Sequence, residues 1–404
     1  MSDRPQRTLA ARIFYRFCWI FCVFVCALLF RLRLTGRERL PRDGPYLLLS
    51  NHTSALDPVW VGVGLVRPAN FMASEALFRV PGLSWLITAL GAFPKQKFVR
   101  DNAAMDTLSG LYRAGGVIVM FPEGTRTWDG RAAPIRGGIG ALIKQLDARV
   151  VFARNRTGFL VHPRWARYPR FVPLDVEYSE PFTFPASMSH DEIAEIVRKQ
   201  ISVDPAVRAR RPAFGARLAE GLPDYLWACF SCFAVGGLSV DPEDRDQVRC
   251  GGCGRRYRVT VDARLIDEAG AATMIGDAFD AIDQRFGAPP RLGAPGQATL
   301  LRAETCRLSR LVRGQARPEP VAEGRLELTE DTLSVLAEDG QIRWSSPLRA
   351  LRAVSVEVGN QLRLLPPDEV LVLDPHGQST LMWSHVLRGW IHHAKGGVGE
   401  PPPG

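Results

Sequence analysis

A histidine and an aspartate stand five positions apart, directly after a short apolar run. The stretch reads LLLSNHTSALDPVW, residues 47–60, and contains Asn51, His52 and Asp57. An apolar run bounded by turn residues is typical of a buried strand, here predicted over residues 46–50. The Ser, Asn and Thr residues that follow favour helix starts, so a helix should begin near Asp57. His52 would then lie at a strand end, where sites gather in open α/β sheets.

This pair has the residue types needed for general base chemistry. A neutral imidazole, with an ordinary pKa near 6.5, can accept the proton of an attacking hydroxyl. A neighbouring carboxylate would orient the imidazole and stabilise the cation that forms. A single histidine is nevertheless more often a satisfied structural group, so the other motifs have to decide between the two roles.

Two further segments place charged residues in turns. FPEGTRT, residues 121–127, follows the apolar run VIVM and carries Glu123 and Arg126 in a Pro/Gly turn that can point N–H groups at an anion. GAFPKQKFVR, residues 91–100, is basic. Its cations are Lys95, Lys97 and Arg100. A basic loop is usually solvated surface, so neither segment is decisive alone.

Together and in this order, the three segments resemble the glycerolipid acyltransferase family, which includes the lysophosphatidic acid acyltransferases. That family has an N-H-x-x-x-x-D block, a G-x-F block with a basic residue, and an E-G-T-R block. The matching residues are Asn51-His52 with Asp57, Gly91-Ala92-Phe93 with Lys97, and Glu123-Gly124-Thr125-Arg126. The similarity extends over roughly residues 30–195.

The resemblance implies acyl transfer from a thioester to a hydroxyl by direct attack, without an acyl-enzyme. His52 would be the base and Asp57 its partner. The implied substrate-binding residues are Asn51, Lys97, Glu123, Gly124, Thr125 and Arg126. The expected donor is acyl-CoA or acyl-carrier protein, and the expected acceptor is a lysophospholipid such as 1-acylglycerol-3-phosphate. Catalysis would need no cofactor.

One block departs from the family pattern. The family often has a Pro-containing apolar run after the E-G-T-R block, whereas this chain reads ARVVFARNRTGFLV, residues 148–161. Arg154 and Arg156 in this segment are candidates for contacts with an anionic acceptor. The departure leaves the acceptor head group open.

Four of the eight cysteines form two C-x-x-C pairs. The pairs are Cys229 with Cys232 and Cys250 with Cys253. This spacing predicts a four-thiolate zinc ribbon in a reducing compartment, with structural rather than catalytic zinc because four ligands close the site. Basic residues beside the second pair leave nucleic-acid binding as an alternative, but we expect a contact-mediating module and no nucleic acid.

The N-terminal region suggests a membrane partner. Residues 17–30, FCWIFCVFVCALLF, carry no charge, and the net charge of +9 favours anionic surfaces. Fourteen residues would span about 21 Å, short of the roughly 30 Å hydrocarbon core. The sequence therefore predicts a helix embedded in one leaflet of the inner or cytoplasmic membrane, with the catalytic domain on the cytoplasmic side. A buried core helix is the alternative.

The predicted fold class is α/β: an acyltransferase-type mixed sheet flanked by helices, preceded by the membrane-associated helix and followed by a zinc ribbon and a small β-rich domain. The predicted segments are a membrane-anchoring helix (1–40), an acyltransferase domain (41–215), a zinc-ribbon-like segment (225–262), a helix and linker (263–298), a β-rich domain (299–395) and a disordered tail (396–404). Within them, residues 265–286 read as one amphipathic helix. The β-rich segment resembles a pleckstrin-homology or GRAM-like domain by pattern only, and a plain β-sandwich is the alternative.

The sequence thus predicts a membrane-associated O-acyltransferase of phospholipid biosynthesis or remodelling. A non-catalytic lipid-binding scaffold with a zinc-ribbon interaction module is the alternative. The presence of both His52 and Asp57 favours the enzyme, because a scaffold has no physical need for that pair.

Overall fold

The computed structural model describes most of the chain. The described residues are 9–96, 101–135, 138–204, 206–292, 298–312, 318–357 and 360–397. They form two compact units: Met1–Ala216 with Val261–Ala263, and Arg217–Thr260 with Arg264–Gly404. The finer division into six segments stays a prediction.

The first unit contains a seven-stranded sheet. Its strands are β1 (Arg33–Thr35), β2 (Tyr46–Ser50), β3 (Ala69–Ser74), β4 (Ala92–Lys95), β5 (Val117–Met120), β6 (Val150–Asn155) and β7 (Asp175–Tyr178). The strand order is β1-β7-β6-β2-β5-β3-β4. The pairs are parallel except for β6 with β7, which is antiparallel. The mixed α/β architecture predicted from the sequence is confirmed.

Strand β2 lies at the centre of this sheet, between β5 and β6. Residues 46–49 are fully buried, as expected of a strand covered on both faces. Leu49 pairs with Met120 on one side and with Phe152 on the other, so the three strands end at the same edge. The loops that leave these three carboxyl ends are therefore neighbours.

Helices flank the sheet. They are α1 (Leu9–Phe30), α2 (Asp57–Gly62), α3 (Leu83–Ala89), α4 (Asn102–Arg113), α5 (Gly138–Leu146), α6 (Gly158–Val161) and α7 (His190–Ile201). Helix α7 begins with a capping box, in which Ser189 and Glu192 each accept the other's backbone N–H. Its buried residues, Ile193, Ala194, Val197 and Ile201, share one face and pack into the core beside β2 and β6.

Helix α1 is longer than the sequence analysis expected. It begins at Leu9, well before the uncharged run, and its 22 residues extend about 33 Å. The expected helix length of fourteen residues was therefore wrong: α1 is long and apolar enough to span a bilayer by length and composition. Its placement in one leaflet stays a prediction. Within α1, only Cys26 and Phe30 are buried, so the buried-core alternative is not supported.

The second unit begins with a small antiparallel sheet. Its strands are β8 (Leu238–Val240), β9 (Gln247–Cys250), β10 (Arg256–Val259), β11 (Arg264–Asp267) and β12 (Ala272–Met274), in the order β12-β11-β10-β9-β8. Short helices α8 (Leu222–Tyr225) and α9 (Ile275–Phe286) flank this sheet in the chain.

The prediction of a single helix over residues 265–286 was wrong for its first part and right for its second part. Its first part is the β11–β12 hairpin, and only Ile275–Phe286 is helical. The carboxylate of Asp267 accepts the N–H groups of Ala269 and Ala271, and Gly270 has a φ of +85°. An aspartate that binds its own following backbone, together with a left-handed glycine, favours a turn over a helix.

A larger antiparallel sheet follows. Its strands are β13 (Leu301–Arg310), β14 (Glu319–Leu328), β15 (Thr332–Leu336), β16 (Ile342–Pro347), β17 (Ala353–Val356), β18 (Leu362–Leu365) and β19 (Leu371–Pro375). The order is β16-β15-β14-β13-β19-β18-β17, and helix α10 (Thr380–Ala394) packs on β17 and β18. Trp383, Val386, Leu387 and Trp390 of α10 are fully buried. The β-rich character is as expected, while the pleckstrin-homology or GRAM-like resemblance stays a prediction. Residues 398–404 of the expected tail lie outside the described residues.

Gly140 sets how closely α5 approaches α7. A Cβ atom at this position would lie 2.2 Å from the backbone carbonyl oxygen of His190. That contact is with backbone, which cannot swing away as a flexible side chain can. The close approach of the two helices therefore requires glycine at position 140.

We predict that Gly140→Ala lowers the free energy of unfolding by about 1–3 kcal/mol, because the helices must separate to admit the methyl group. The matched control is Gly138→Ala on the same helix, where a Cβ atom meets nothing within 4 Å. The control should be neutral or stabilising by up to about 1 kcal/mol. Urea unfolding of the full-length variants measures both values, and equal stability of the two would contradict a tight α5–α7 contact.

Candidate active site

The strongest candidate for catalysis is the turn between β2 and α2. His52 lies just past the end of β2, and Asp57 is the first residue of α2. The Nδ1 atom of His52 lies 2.8 Å from Oδ2 of Asp57. The imidazole is 21% exposed, whereas the carboxylate is fully buried. The reactive ring is thus accessible while its partner is shielded from water.

This contact fixes the tautomer of the imidazole. A carboxylate oxygen can only accept, so Nδ1 of His52 carries the proton and donates it to Asp57. The lone pair that can accept a proton is then on Nε2. The ring also stacks on Phe121, with centroids 4.3 Å apart and planes 23° apart, which restricts its rotation.

The loop after β5 holds the backbone of His52 from both sides. The N–H of His52 donates to Oε1 of Glu123 at 3.2 Å. The N–H of Thr127 donates to the carbonyl oxygen of His52 at 2.9 Å. Gly124 has a φ of +71°, a left-handed turn conformation that favours glycine. The E-G-T-R segment therefore positions the histidine in addition to any contact it makes with substrate.

Glu123 is partly buried and faces the backbone of His52 and Ala133. Burial raises the pKa of its carboxyl to about 8, and the nearby charge of Asp57 acts in the same direction, against the backbone N–H groups of His52 and Ala133. The side chain is therefore neutral near pH 7. Its carboxyl oxygens accept backbone N–H groups of His52 and Ala133, and a contact of Glu123 with substrate stays a prediction.

Cationic groups gather around the rest of this loop. The guanidinium of Arg164 donates from Nη1 to Oγ1 of Thr125 at 3.0 Å and to the carbonyl oxygen of Arg126 at 2.8 Å. It also lies 4.0 Å from the centroid of the Trp128 ring. Burial, followed by the charge of Arg126, lowers the pKa of His162. Sequence reasoning missed Arg164, because nothing distinguishes it from the many other arginines in this chain.

The remaining predicted residues fall into two groups. Lys97, together with Arg100, lies outside the described residues, so its role stays a prediction. Asn51 is 3% exposed. Its side chain pairs with the backbone of Asn155 at the end of β6, at 2.8 and 3.0 Å. Asn51 thus has a structural contact with β6, and its predicted contact with substrate stays a prediction.

Arg154 and Arg156, the candidates for contacts with an anionic acceptor, both approach Glu177. Their Nη1 atoms lie 3.7 Å and 3.6 Å from its carboxylate. Arg154 also donates from Nε to the carbonyl oxygen of Gln200 at 2.6 Å. These contacts compete with an acceptor phosphate for the two guanidinium groups.

The four paired cysteines come together in the second unit. Their Sγ atoms all lie within 4.8 Å of one another. Cys229 and Cys253 are 4.0 Å apart at sulfur, and Cys232 and Cys250 are 3.6 Å apart. Tetrahedral zinc with Zn–S bonds of about 2.3 Å needs sulfur separations near 3.8 Å. The cluster thus lies close enough to hold one metal ion, and its donor set fits zinc.

The segment that contains this site is similar to known proteins. Residues 31–154 match the Acyltransferase family model. This match includes His52, Asp57 and the E-G-T-R block, so the acyltransferase part of the sequence prediction is confirmed for that segment. The zinc-ribbon and pleckstrin-homology parts lie outside the match.

Curated relatives share this segment. The chain is 30% identical over 122 residues to the chloroplastic 1-acyl-sn-glycerol-3-phosphate acyltransferase BAT2 of Brassica napus, covering 29% of this chain and 35% of that protein. It is 25% identical over 114 residues to the 1-acyl-sn-glycerol-3-phosphate acyltransferase of Bacillus subtilis, covering 28% and 57%. The chain therefore spans about a third to just over half of the length of these acyltransferases.

A solved structure also matches. The 1-acyl-sn-glycerophosphate acyltransferase PlsC of Thermotoga maritima is 22% identical, with a TM-score of 0.41, covering 49% of this chain and 81% of that one.

We predict that the neutral state of Glu123 makes stability depend on pH. Its pKa is raised in the folded state from an ordinary value of 4.5 to about 8, so the folded protein holds this proton more tightly than the unfolded chain does. The contribution is complete below about pH 4.5 and is lost as the pH rises through about 8. Glu123→Gln keeps an acceptor for the N–H of His52 but does not titrate. Its free energy of unfolding relative to wild type should therefore increase between about pH 5 and pH 8.

Urea unfolding across this pH window measures the effect. Glu38→Gln, at a side chain that is 76% exposed, controls for the loss of a surface carboxyl. Glu123→Ala should be less stable than Glu123→Gln at every pH, because it leaves the N–H of His52 without this acceptor. A constant difference between Glu123→Gln and wild type would show that Glu123 is already ionised at the acid end.

We also predict about one tightly bound zinc ion per chain in the purified protein, as expected of a closed four-thiolate site. Cys232→Ser should reduce the zinc content, and because Cys232 is exposed the change should cost little packing. Cys18→Ser in α1, outside the cluster, is the control. Elemental analysis by mass spectrometry gives the metal content, and equal zinc in both variants would show that the cluster is not the metal site.

Proposed function

We propose that this protein is an O-acyltransferase that moves a fatty acyl chain from acyl-CoA or acyl-carrier protein to the hydroxyl of a lysophospholipid. The observation that carries the proposal is the His52–Asp57 pair, joined at 2.8 Å beside the E-G-T-R loop. The Acyltransferase match over residues 31–154 supports the same reaction class. The likeness to 1-acyl-sn-glycerol-3-phosphate acyltransferases supports a 1-acylglycerol-3-phosphate type of acceptor.

In the proposed reaction, Nε2 of His52 accepts the proton of the acceptor hydroxyl as its oxygen attacks the thioester carbonyl. The carbon–sulfur bond then breaks, and the leaving thiolate takes the proton from the imidazolium. Asp57 keeps the ring in one orientation and stabilises its transient positive charge. The products are an ester and a free thiol, so atoms and charge balance without a cofactor.

The anionic acceptor would bind beside the loop after β5. Arg164 donates to Oγ1 of Thr125 and to the carbonyl oxygen of Arg126, so a hydroxyl and two arginines lie together on the loop that holds the backbone of His52. Guanidinium groups suit a phosphate because they can bind it with two parallel hydrogen bonds. We include Lys97 in this site on the family resemblance alone. Because Glu123 is neutral near pH 7, it would not repel the acceptor phosphate.

We further propose that α1 attaches the enzyme to a membrane. The large apolar residues exposed on this helix are Leu9, Ile13, Phe17, Ile20, Phe21, Phe24, Leu28 and Leu29. Most are three or four positions apart and so share one helix face, a pattern that favours insertion into lipid. We place the catalytic domain on the cytoplasmic side of the inner or cytoplasmic membrane, where cysteines stay reduced, and we propose that the bound metal is structural zinc.

Acyl transfer by purified protein in mixed micelles tests the proposal, with a labelled acyl thioester and a panel of lysophospholipids. His52→Ala should lose about 10²- to 10⁴-fold in rate, the usual contribution of a general base. The matched control is His376→Ala, which breaks a surface His–Asp pair with Nε2 and Oδ2 3.2 Å apart. This control should keep wild-type activity. If folded wild-type protein forms no product with any donor and acceptor, the lipid-binding scaffold becomes the better interpretation.

A further inference from the structure

Asn155 occupies the segment in which this chain departs from the acyltransferase pattern. It is the last residue of β6, it is 1% exposed, and it lies one residue beyond the segment that matches the family model. Its side-chain Nδ2 atom lies 2.7 Å from Oδ1 of Asp57. An asparagine from a different strand thus contacts the partner of the proposed base.

The orientation of this amide follows from its second contact. The backbone N–H of Gly158 lies 2.9 Å from Oδ1 of Asn155 and can only donate. The oxygen of the amide must therefore face Gly158, and the NH₂ group must face Asp57. Asn155 is held in the one orientation in which it donates to the carboxylate.

The two oxygens of Asp57 have different donors. Oδ2 accepts from three N–H groups of its own turn: Nδ1 of His52 at 2.8 Å, the backbone of Thr53 at 2.6 Å and the backbone of Ser54 at 2.8 Å. Oδ1 accepts from Asn155 at 2.7 Å, and the hydroxyl of Thr53 is more distant at 3.4 Å. Among the described residues, Asn155 therefore makes the one short hydrogen bond to Oδ1.

A second connection joins the same two strands. Backbone pairing of β2 with β6 ends at Ser50 and Ala153. Beyond it, the side chain of Asn51 accepts the N–H of Asn155 at 2.8 Å and donates to its carbonyl oxygen at 3.0 Å. The residue before His52 is thus fixed to the residue that contacts Asp57.

We infer that Asn155 is a positioning residue for the proposed base, and this inference rests on the proposed function. By donating to Oδ1, it sets the rotation of the Asp57 carboxylate, so that Oδ2 faces Nδ1 of His52 and the lone pair stays on Nε2. Residues 148–161, the segment without the expected Pro-containing run, thus supply a part of the catalytic arrangement.

The first test is the kinetics of Asn155→Ala in the acyl transfer assay. The rate constant kcat should fall about 10- to 100-fold, as expected when a buried charged group loses a hydrogen-bond donor. The KM of the acceptor should stay within about twofold, because Asn155 does not contact substrate in this arrangement. Asn70→Ala is the control, since it removes an asparagine amide of the same sheet, on β3, that donates to the carbonyl oxygen of Val117 and not to Asp57. It should keep wild-type kcat.

Asn155→Asp gives a readout that a purely structural role would not change. The new carboxyl can still accept the N–H of Gly158 and, while protonated, can donate to Oδ1 of Asp57. Two carboxylates this close cannot both ionise easily, so they hold a shared proton that leaves as the pH rises. The activity of Asn155→Asp relative to wild type should therefore decrease with rising pH, and this near-isosteric variant also serves if Asn155→Ala does not fold.

Titration of the His52 imidazole by nuclear magnetic resonance tests the positioning role without an activity assay. Spectra of histidine-labelled protein, with the His52 signals assigned from His52→Ala, report the tautomer and the pKa directly. Both Asn155 variants should change these signals, whereas Asn70→Ala should not. Unchanged His52 signals together with wild-type kcat in the Asn155 variants would overturn the inference. Inactive wild-type protein with changed His52 signals would reject the proposed function and leave the positioning role supported.

Discussion

The carboxylate of Asp57 has no contact with solvent, and the arrangement of the site follows from how the fold satisfies its two oxygens. A buried charge is costly unless hydrogen bonds replace the water it has lost. Here the donors come from the turn after β2 and from the end of β6. The sheet must therefore place these two strands side by side, ending at the same edge. Parallel pairing of β2 with β6 brings the two strand ends together in this way.

The third neighbour, β5, completes the arrangement from the other side. In the loop after β5, Glu123 accepts the N–H of His52, and the N–H of Thr127 donates to the carbonyl oxygen of His52. The histidine is thus fixed by its backbone from β5, while its ring is fixed by Asp57. A one-residue shift of either neighbouring strand would break one of these sets of contacts. The geometry therefore depends on the register of the three central strands and not on the catalytic turn alone.

The two strands β2 and β5 and the positions of the motifs that follow them could be predicted from local sequence. The apolar runs of β2 and β5 are bounded by turn residues, and each leads into a motif with recognisable residue types. The extension of α1 back to Leu9 could not be predicted in this way, because a hydropathy run ends at a charge whereas a helix does not. Residues 265–274 were misassigned because their apolar spacing fits a helix, while the turn at Asp267 and Gly270 decides otherwise.

The contacts of buried and partly buried polar side chains were the least predictable part. Asn51, Glu123 and Asn155 have types that suit either substrate or backbone contacts, and sequence alone does not give the direction of a side chain. The direction of the Glu123 side chain decides how much negative charge lies beside His52. With Glu123 in its neutral form, Asp57 is the carboxylate in direct contact with His52 that can balance the protonated ring. A second ionised carboxylate would hold the proton on His52 more firmly and repel an anionic acceptor. A neutral Glu123 therefore favours two steps of the proposed reaction, binding of the anionic acceptor and release of the proton from His52 to the thiolate.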